Sequence, residues 1–239
     1  MMTDIFELLK ELPYPGRGLF VGKSADGTKA QIFYFLTGRS ENSRNRVFVR
    51  DGDGIRTQAF DPSKMTDPSL IIYSPVRVLG NATIVTNGDQ TDTVYEALQS
   101  GDTFESALTE RTFEPDAPNY TPRISALLET ENESMRYTMS MIRTIEGNPD
   151  YCAHEIYRYS SPKAGEGHFL RTYEGYGAPV PSFQGVPVLC STADWGTEPD
   201  ALIDRIWDSL NRDNRVSLFL RTVDLSSGER EDRIRNALQ

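Results

Sequence analysis

Three stretches of this 239-residue chain hold residue types and spacings that could do chemistry. The first is "TGRSENSRNRVFVR", residues 37–50, where Arg39, Arg44, Arg46 and Arg50 surround a single acid, Glu41. With Ser40, Asn42, Ser43 and Asn45 between them, these guanidinium forks can hold a phosphate or a developing oxyanion. A solvated loop whose arginines pair with surface acids is the plainer reading, and no Gly-rich phosphate fingerprint opposes it. The second is "ATIVTNGDQTDTVYEAL", residues 82–98, an apolar run that passes through Asn87-Gly88 into a helix start at Thr91-Asp92. Free N–H groups at a helix start favour an anion or a polar ligand. An Asn-Gly turn followed by an ordinary cap accounts for the same residues without a ligand. The third is "FEPDAPNYTPRIS", residues 113–125, which sets Glu114 and Asp116 in a proline-rich loop. A carboxyl group held by a stiff loop near apolar surroundings can titrate high and serve as a general acid or base. The plainer reading is loop polarity with Arg123 as a surface partner. Tyr73, at the end of "SLIIY", and Tyr173 and Glu174, in "RTYEGYG", carry the same two readings.

Together these stretches supply arginine, tyrosine and carboxylate, a set suited to proton transfers around an amide or formyl group. The chain offers little else. Its two cysteines, Cys152 and Cys190, lie far apart and outside any CxxC pair, which argues against a disulfide framework and a zinc site. Two scattered histidines, His154 and His168, disfavour His-dependent nucleophilic catalysis and histidine-rich metal binding. No motif implies a metal or an organic cofactor. A formal net charge of -10 argues against nucleic acid as a partner, which needs a broad basic face. A small anionic ligand needs only one local positive pocket. No apolar run approaches the roughly eighteen residues of a membrane span, and "MMTDIFELLKEL" is acidic and amphipathic, unlike a signal peptide. The expected location is cytoplasmic, with no membrane partner.

The elements that must position these residues are mostly strands. "GLFVG", "AQIFYFL", "RVFV", "SLIIY", "VRVL" and "ATIVT" fill the first third, and "RYTMSMIRTI", "AHEIYRYS", "HFLRTYE", "GVPVLC" and "VSLFLRTV" follow later. Helices are expected at "TDIFELLKEL" behind a Thr3/Asp4 cap, at "TDTVYEALQSG" from Thr91 or Asp92, and at "DTFESALTER" from Asp102 with Glu105 completing a capping box. Others are expected at "TPRISALLE" behind Thr121, at "TEPDALIDRIWDSL" from Thr197, and, more weakly, at the terminal "SSGEREDRIRNALQ". Strands and helices do not alternate regularly, so the pattern predicts an α+β domain of antiparallel or mixed sheets with helices packed outside. No stretch reads as an interdomain linker, so residues 1–239 are expected to form one domain.

The order "GRGLFVGKSADG", "GRSENSRNR", "SLIIYSPVRVLGNATIVTNGDQTDT", "FEPDAPNYTPRI" and "RTYE" resembles the archaeal-type inosine monophosphate (IMP) cyclohydrolase family. The resemblance runs from about Gly16 to about Glu174, and residues 1–15 read as an N-terminal extension. It implies a four-layer αββα sandwich like that of the N-terminal nucleophile hydrolases, used without the N-terminal nucleophile. It implies a purine ribonucleotide as the small-molecule partner and, as reaction, ring closure of 5-formamidoimidazole-4-carboxamide ribonucleotide to IMP, the last step of de novo purine synthesis. By motif, the family's catalytic glutamate falls on Glu114, with Phe113 replacing a neighbouring tyrosine, and its tyrosine falls on Tyr73. Its arginine falls on Arg44 by spacing from Arg39, or on Arg46 by the Asn-Arg dipeptide. Arg39, Ser40, Asn87 and Gly88 are candidates for the 5′-phosphate, and Thr91, Asp92 and Arg123 complete the substrate-binding set. A homo-oligomer is compatible with this reading. The rival readings are an amidohydrolase of the same fold and a purine nucleotide-binding module without turnover.

Overall fold

A computed structural model describes residues 2–239 and contains two seven-stranded sheets. The first is built from β1 (Thr3–Asp4), β2 (Arg17–Lys23), β3 (Lys29–Thr37), β11 (Glu166–Arg171), β12 (Val188–Ser191), β13 (Arg215–Asp224) and β14 (Arg230–Asn236), in the order β1-β12-β11-β2-β3-β13-β14. The second is built from β4 (Arg46–Asp51), β5 (Gly54–Ala59), β6 (Val76–Leu79), β7 (Ala82–Thr86), β8 (Arg123–Glu131), β9 (Ser134–Ile145) and β10 (Asn148–Tyr159), running β10-β9-β8-β7-β6-β5-β4. Apart from the parallel pair β1·β12, neighbouring strands are antiparallel. The helices are α1 (Ile5–Glu11), α2 (Glu41–Arg44), α3 (Gln90–Gln99), α4 (Phe104–Leu108) and α5 (Pro199–Ser209). Among the described residues, no helix is long and apolar enough to cross a membrane.

Side-chain alternation along the central strands explains the packing. In β3, Ile32, Tyr34 and Leu36 enter one apolar cluster while Phe33 and Phe35 enter another. Successive strand residues point to opposite faces, so a strand apolar throughout is covered on both. The first cluster lies between the sheets, where Leu19, Val21, Ile32 and Tyr34 meet Val85, Ile124, Ala126 and Met139. The second joins Phe20, Phe33, Phe35 and Leu218 to Ile5, Phe6 and Leu9 of α1 and Leu202, Ile203 and Ile206 of α5. The third joins Ile84, Leu127 and Ile142 to Val94 of α3 and Phe104 and Leu108 of α4. Residues read as an extension are therefore integrated: β1 pairs with β12, and α1 buries Ile5 completely. The sheets are also tied by Arg221 of β13, which is fully buried, grips both oxygens of Asp232 at 2.7 and 2.8 Å, and donates to the Asp53 carbonyl beyond β4.

Several expectations require correction. "TPRISALLE" is strand β8, not a helix: Ile124, Ala126 and Leu128 face the inter-sheet core while Leu127 faces α4, a period of two that β7 and β9 extend on either side. Pro122 precedes the strand, where its missing N–H costs no ladder bond. The terminal "REDRIRN" is edge strand β14, with Arg233 and Arg235 on one face reaching Asp200 and Asp204 of α5, and Asp232 and Ile234 turned toward the other. "SLIIY" is no strand: the Ile71 and Ile72 N–H groups close a turn on the Pro68 carbonyl at 3.1 and 2.9 Å. Helix α3 starts at Gln90 behind Asp89, so Thr91 and Asp92 are not its cap. Thr103 caps α4 and Ser106, not Glu105, closes its capping box. Helix α5 begins at Pro199 rather than Thr197. Strand β5 and the short α2 inside the arginine cluster had no sequence counterpart.

Candidate active site

The carboxyl group of Glu114 sits at the inner wall of a cavity of about 630 Å³, also lined by Arg17, Arg39, Ser40, Arg46, Asp116 and Tyr173. That volume suits a small organic ligand. Glu114 belongs to the loop between α4 and β8, and the loop is closed by its N–H donating to the Thr121 carbonyl at 2.9 Å. Its side chain is 2% exposed. Arg17, the first residue of β2, donates through Nη2 to Glu114 Oε2 at 3.3 Å. Asn87 approaches the other oxygen, Oε1, at 3.4 Å. Burial pushes the Glu114 carboxyl up to about 7, offset in part by Arg17 and reinforced by Asp116. The long contact to Arg17 agrees with that net direction: desolvation outweighs the ion pair. For Arg17, burial opposes the charge, but Glu114, Tyr73 and Tyr173 more than offset it and its pKa is raised well above the usual guanidinium value.

The arginine cluster divides at α2. Ser40 caps this helix, its hydroxyl accepting from Ser43 N–H at 3.1 Å. Arg46 opens β4 and turns into the cavity, with Nε donating to the Ser43 carbonyl at 2.8 Å. It is 2% exposed, and among the described residues its Nη1 has no hydrogen-bond partner, as is true of Arg17 Nε. Buried guanidinium donors without acceptors are costly unless a ligand supplies them. Arg44 instead donates from Nε to the Gly38 carbonyl at 3.0 Å and lines an adjoining cavity of about 520 Å³ with Lys64 and Phe60. Arg39 borders both cavities, its guanidinium 5.0 Å from the centre of the Tyr14 ring. Arg50 lies outside, near Asp232 at 3.8 Å.

Tyr73 is placed by its backbone N–H, which donates to Thr57 Oγ1 at 2.8 Å. Its hydroxyl shares a 2.7 Å hydrogen bond with buried Tyr34. Burial raises its pKa, while Arg17 and Arg46 nearby lower it. Tyr73 thus stands among the same charges as Glu114, although its segment is a turn.

The residues of "NGDQTDT" are brought behind the carboxyl group rather than into the cavity. Asn87 is fully buried: its Oδ1 accepts from Ile124 N–H at 2.8 Å and Gln90 Nε2 at 2.9 Å, so its Nδ2 must face Pro122 O and Glu114. Gly88 leaves room for the Arg123 and Gln90 side chains, since a Cβ there would come within 2.7 Å of both Arg123 Nη1 and Gln90 Oε1. Thr91 is buried and bonds the Gly88 carbonyl at 3.0 Å. Arg123 binds Asp89 and Gln90, each at 2.7 Å, and is a buried strut rather than a surface partner. Asp92 lies at the surface, paired with Arg77 at 2.9 Å. Sequence reasoning missed Arg17 and Tyr14 as cavity residues; "GRGLFVG" contained the first, but an arginine opening an apolar strand has no local signature of burial. Asp116 and Tyr173 do reach the cavity, whereas Glu174 pairs with Arg171 at 2.5 Å.

A different cavity of about 350 Å³, beside α4, is lined by charges already matched as Arg136–Glu129 and Arg158–Glu105. The Glu114 cavity alone of the two combines an acid tuned near neutrality with buried, unmatched cationic donors. Fold and site therefore define an α+β protein with one cavity that brings a buried carboxyl group and buried cationic donors together. A family model described as "IMP cyclohydrolase-like protein" matches residues 14–228. The chain is 35% identical over 173 residues to a protein of Methanopyrus kandleri named IMP cyclohydrolase, covering 71% of this chain and 79% of that one. It is 30% identical over 164 residues to the protein of that name from Methanocaldococcus jannaschii, covering 67% and 73% respectively. A third IMP cyclohydrolase, from Methanococcus aeolicus, is 28% identical over 165 residues, or 67% of this chain and 74% of the other. This chain belongs to the IMP cyclohydrolase-like family.

Proposed function

We propose that the chain is an IMP cyclohydrolase, closing 5-formamidoimidazole-4-carboxamide ribonucleotide to IMP with loss of water. The carboxamide nitrogen attacks the formyl carbon of the same molecule, a C–N bond forms, and the formyl oxygen becomes the hydroxyl of a cyclic carbinolamine. Loss of that hydroxyl with a proton from the ring nitrogen gives water and the C=N bond of the product. The reaction is intramolecular, so the protein's tasks are to hold the two groups face to face and to manage protons and charge.

The observation that carries this reading is Glu114, a buried carboxyl raised to about 7 within reach of two guanidiniums that keep unmatched donors. Near neutral pH such a group can take the amide proton and return one to the departing hydroxyl. Arg46, with Arg17, is assigned to the developing oxyanion, where buried charge-assisted donors act most strongly. Tyr73 is assigned to orienting the formyl oxygen. Arg39 and Ser40, at the solvent side of the same cavity, are assigned to the 5′-phosphate. Asn87, Gly88, Thr91 and Arg123 support Glu114 from behind, and Arg44 and Asp92 are left outside the reaction. The packing order of α1 and α5, two sheets, then α3 and α4 supports a four-layer αββα sandwich of the N-terminal nucleophile hydrolase kind, with residues 1–239 as one domain. The test is to supply the formamido ribonucleotide and follow IMP by ultraviolet absorbance. Ring closure no faster than in buffer overturns the proposal, and IMP binding without turnover favours a binding module instead.

A further inference from the structure

Tyr173 is a cavity residue that the mechanism above does not use. It follows β11, is 4% exposed, and its ring stacks on Tyr14 at 5.8 Å between centroids. Among the described residues its hydroxyl meets one partner, the hydroxyl of fully buried Thr121. Thr121 in turn is bound twice by Asp116: its N–H donates to Oδ1 at 2.7 Å, and its hydroxyl donates to Oδ2. The direction of this chain is fixed by its end. A threonine hydroxyl has one proton, and Thr121 gives it to Asp116 Oδ2. With that proton committed to Asp116, Thr121 can only accept from Tyr173. Tyr173 therefore sends its own proton away from the cavity and presents to it an oxygen that can only accept.

The position of this acceptor says what it meets. Tyr173 stacks on Tyr14, and the Arg39 guanidinium lies 5.0 Å from the same Tyr14 ring centre. Through its hydroxyl Tyr173 reaches Thr121, whose carbonyl accepts from the Glu114 N–H at 2.9 Å. Resting on the assignment of Arg39 and Ser40 to the phosphate and Glu114 to the reacting carboxamide, Tyr173 occupies the middle of the cavity wall. The middle of a ribonucleotide is its ribose, whose only donors are hydroxyls. We propose that Tyr173, oriented by Thr121 and Asp116, is a specificity residue that accepts a hydrogen bond from a ribose hydroxyl and so selects ribonucleotides over deoxyribonucleotides.

The test compares IMP with its 2′-deoxy and 3′-deoxy analogues, binding each by calorimetry to the wild-type protein and to Tyr173→Phe. The wild-type protein should bind one deoxy analogue about 5–10-fold more weakly than IMP, the range expected for one neutral hydrogen bond. In Tyr173→Phe, IMP should weaken by a similar factor and discrimination against that analogue should fall to about onefold. Thr121→Ser should retain the discrimination and Thr121→Val should reduce it, which separates the oriented hydroxyl from mere packing. Discrimination unchanged in Tyr173→Phe, or absent from the wild-type protein, overturns this proposal while IMP binding leaves the proposed function standing. Failure of the wild-type protein to bind IMP at all overturns the nucleotide assignment itself, and this proposal with it.

Discussion

Glu114→Gln removes a charge that the folded protein holds at a cost, and that cost can be measured without substrate. Burial raises the carboxyl from 4.5 to about 7, against the opposing pull of Arg17, Arg123 and Arg46 and with the help of Asp116. The folded state therefore binds the Glu114 proton more tightly than the unfolded chain does. Stability contributed by this group is full below the unfolded value and is lost as pH rises from there through the folded value. At about 1.4 kcal/mol per pKa unit, ionised Glu114 destabilises the fold by on the order of 3 kcal/mol, of which roughly 2 kcal/mol develops between pH 5 and pH 8. Glutamine keeps the shape and does not titrate. Urea unfolding of both proteins across this range should show the glutamine variant gaining on the wild type by roughly 2 kcal/mol, or about 4–8 °C in Tm. Titrating groups remote from Glu114 cancel in the difference. Parallel stability curves would refute the reasoning, because they would mean that Glu114 has the same pKa folded and unfolded.

Arg46→Lys keeps charge but loses the planar fork, and kcat should fall about 100-fold, whereas Arg44→Lys should stay within about twofold of the wild type; the opposite order of rates would exchange the two assignments. Tyr73→Phe leaves the buried Tyr34 hydroxyl without its partner, so a loss of about 1–2 kcal/mol by chemical denaturation should accompany a slower ring closure. Asn87→Ala removes the hydrogen bonds that Asn87 makes to Ile124, Pro122 and Glu114, and the pH midpoint of kcat should move while IMP affinity holds; a midpoint identical to wild type argues against its positioning role. Asp232→Ala strands the buried Arg221 guanidinium, which should cost about 3–5 kcal/mol with kcat retained at temperatures where the protein stays folded.

The fold class was legible because the central strands are apolar throughout, and a run such as "AQIFYFL" satisfies two covered faces at once. The misread elements are those where local signals conflict with tertiary pairing. "TPRISALLE" has a cap residue, a proline and good helix formers, and only β7 and β9 on either side make it a strand. "REDRIRN" looks like a polar helix until Arg221 and α5 supply partners for its alternate residues. Of the residues that line the Glu114 cavity, Glu114, Arg39, Ser40 and Arg46 were candidates from the sequence. Which of Arg44 and Arg46 lines that cavity was not legible, because it depends on the four-residue helix α2, which turns Arg46 inward and Arg44 away. Arg17 was missed because its burial arises from contact with a loop 97 residues downstream.

The central claim is that Glu114 moves the protons of ring closure, and one measurement addresses it most directly. The formamido ribonucleotide is given at saturating concentration to the wild-type protein and to Glu114→Gln at pH 8, and IMP formation is followed by absorbance, with IMP affinity measured in parallel. The account predicts that turnover falls by about 100-fold or more, the scale of general acid–base catalysis, while IMP affinity changes by less than about threefold. Turnover at the wild-type rate in Glu114→Gln would contradict it.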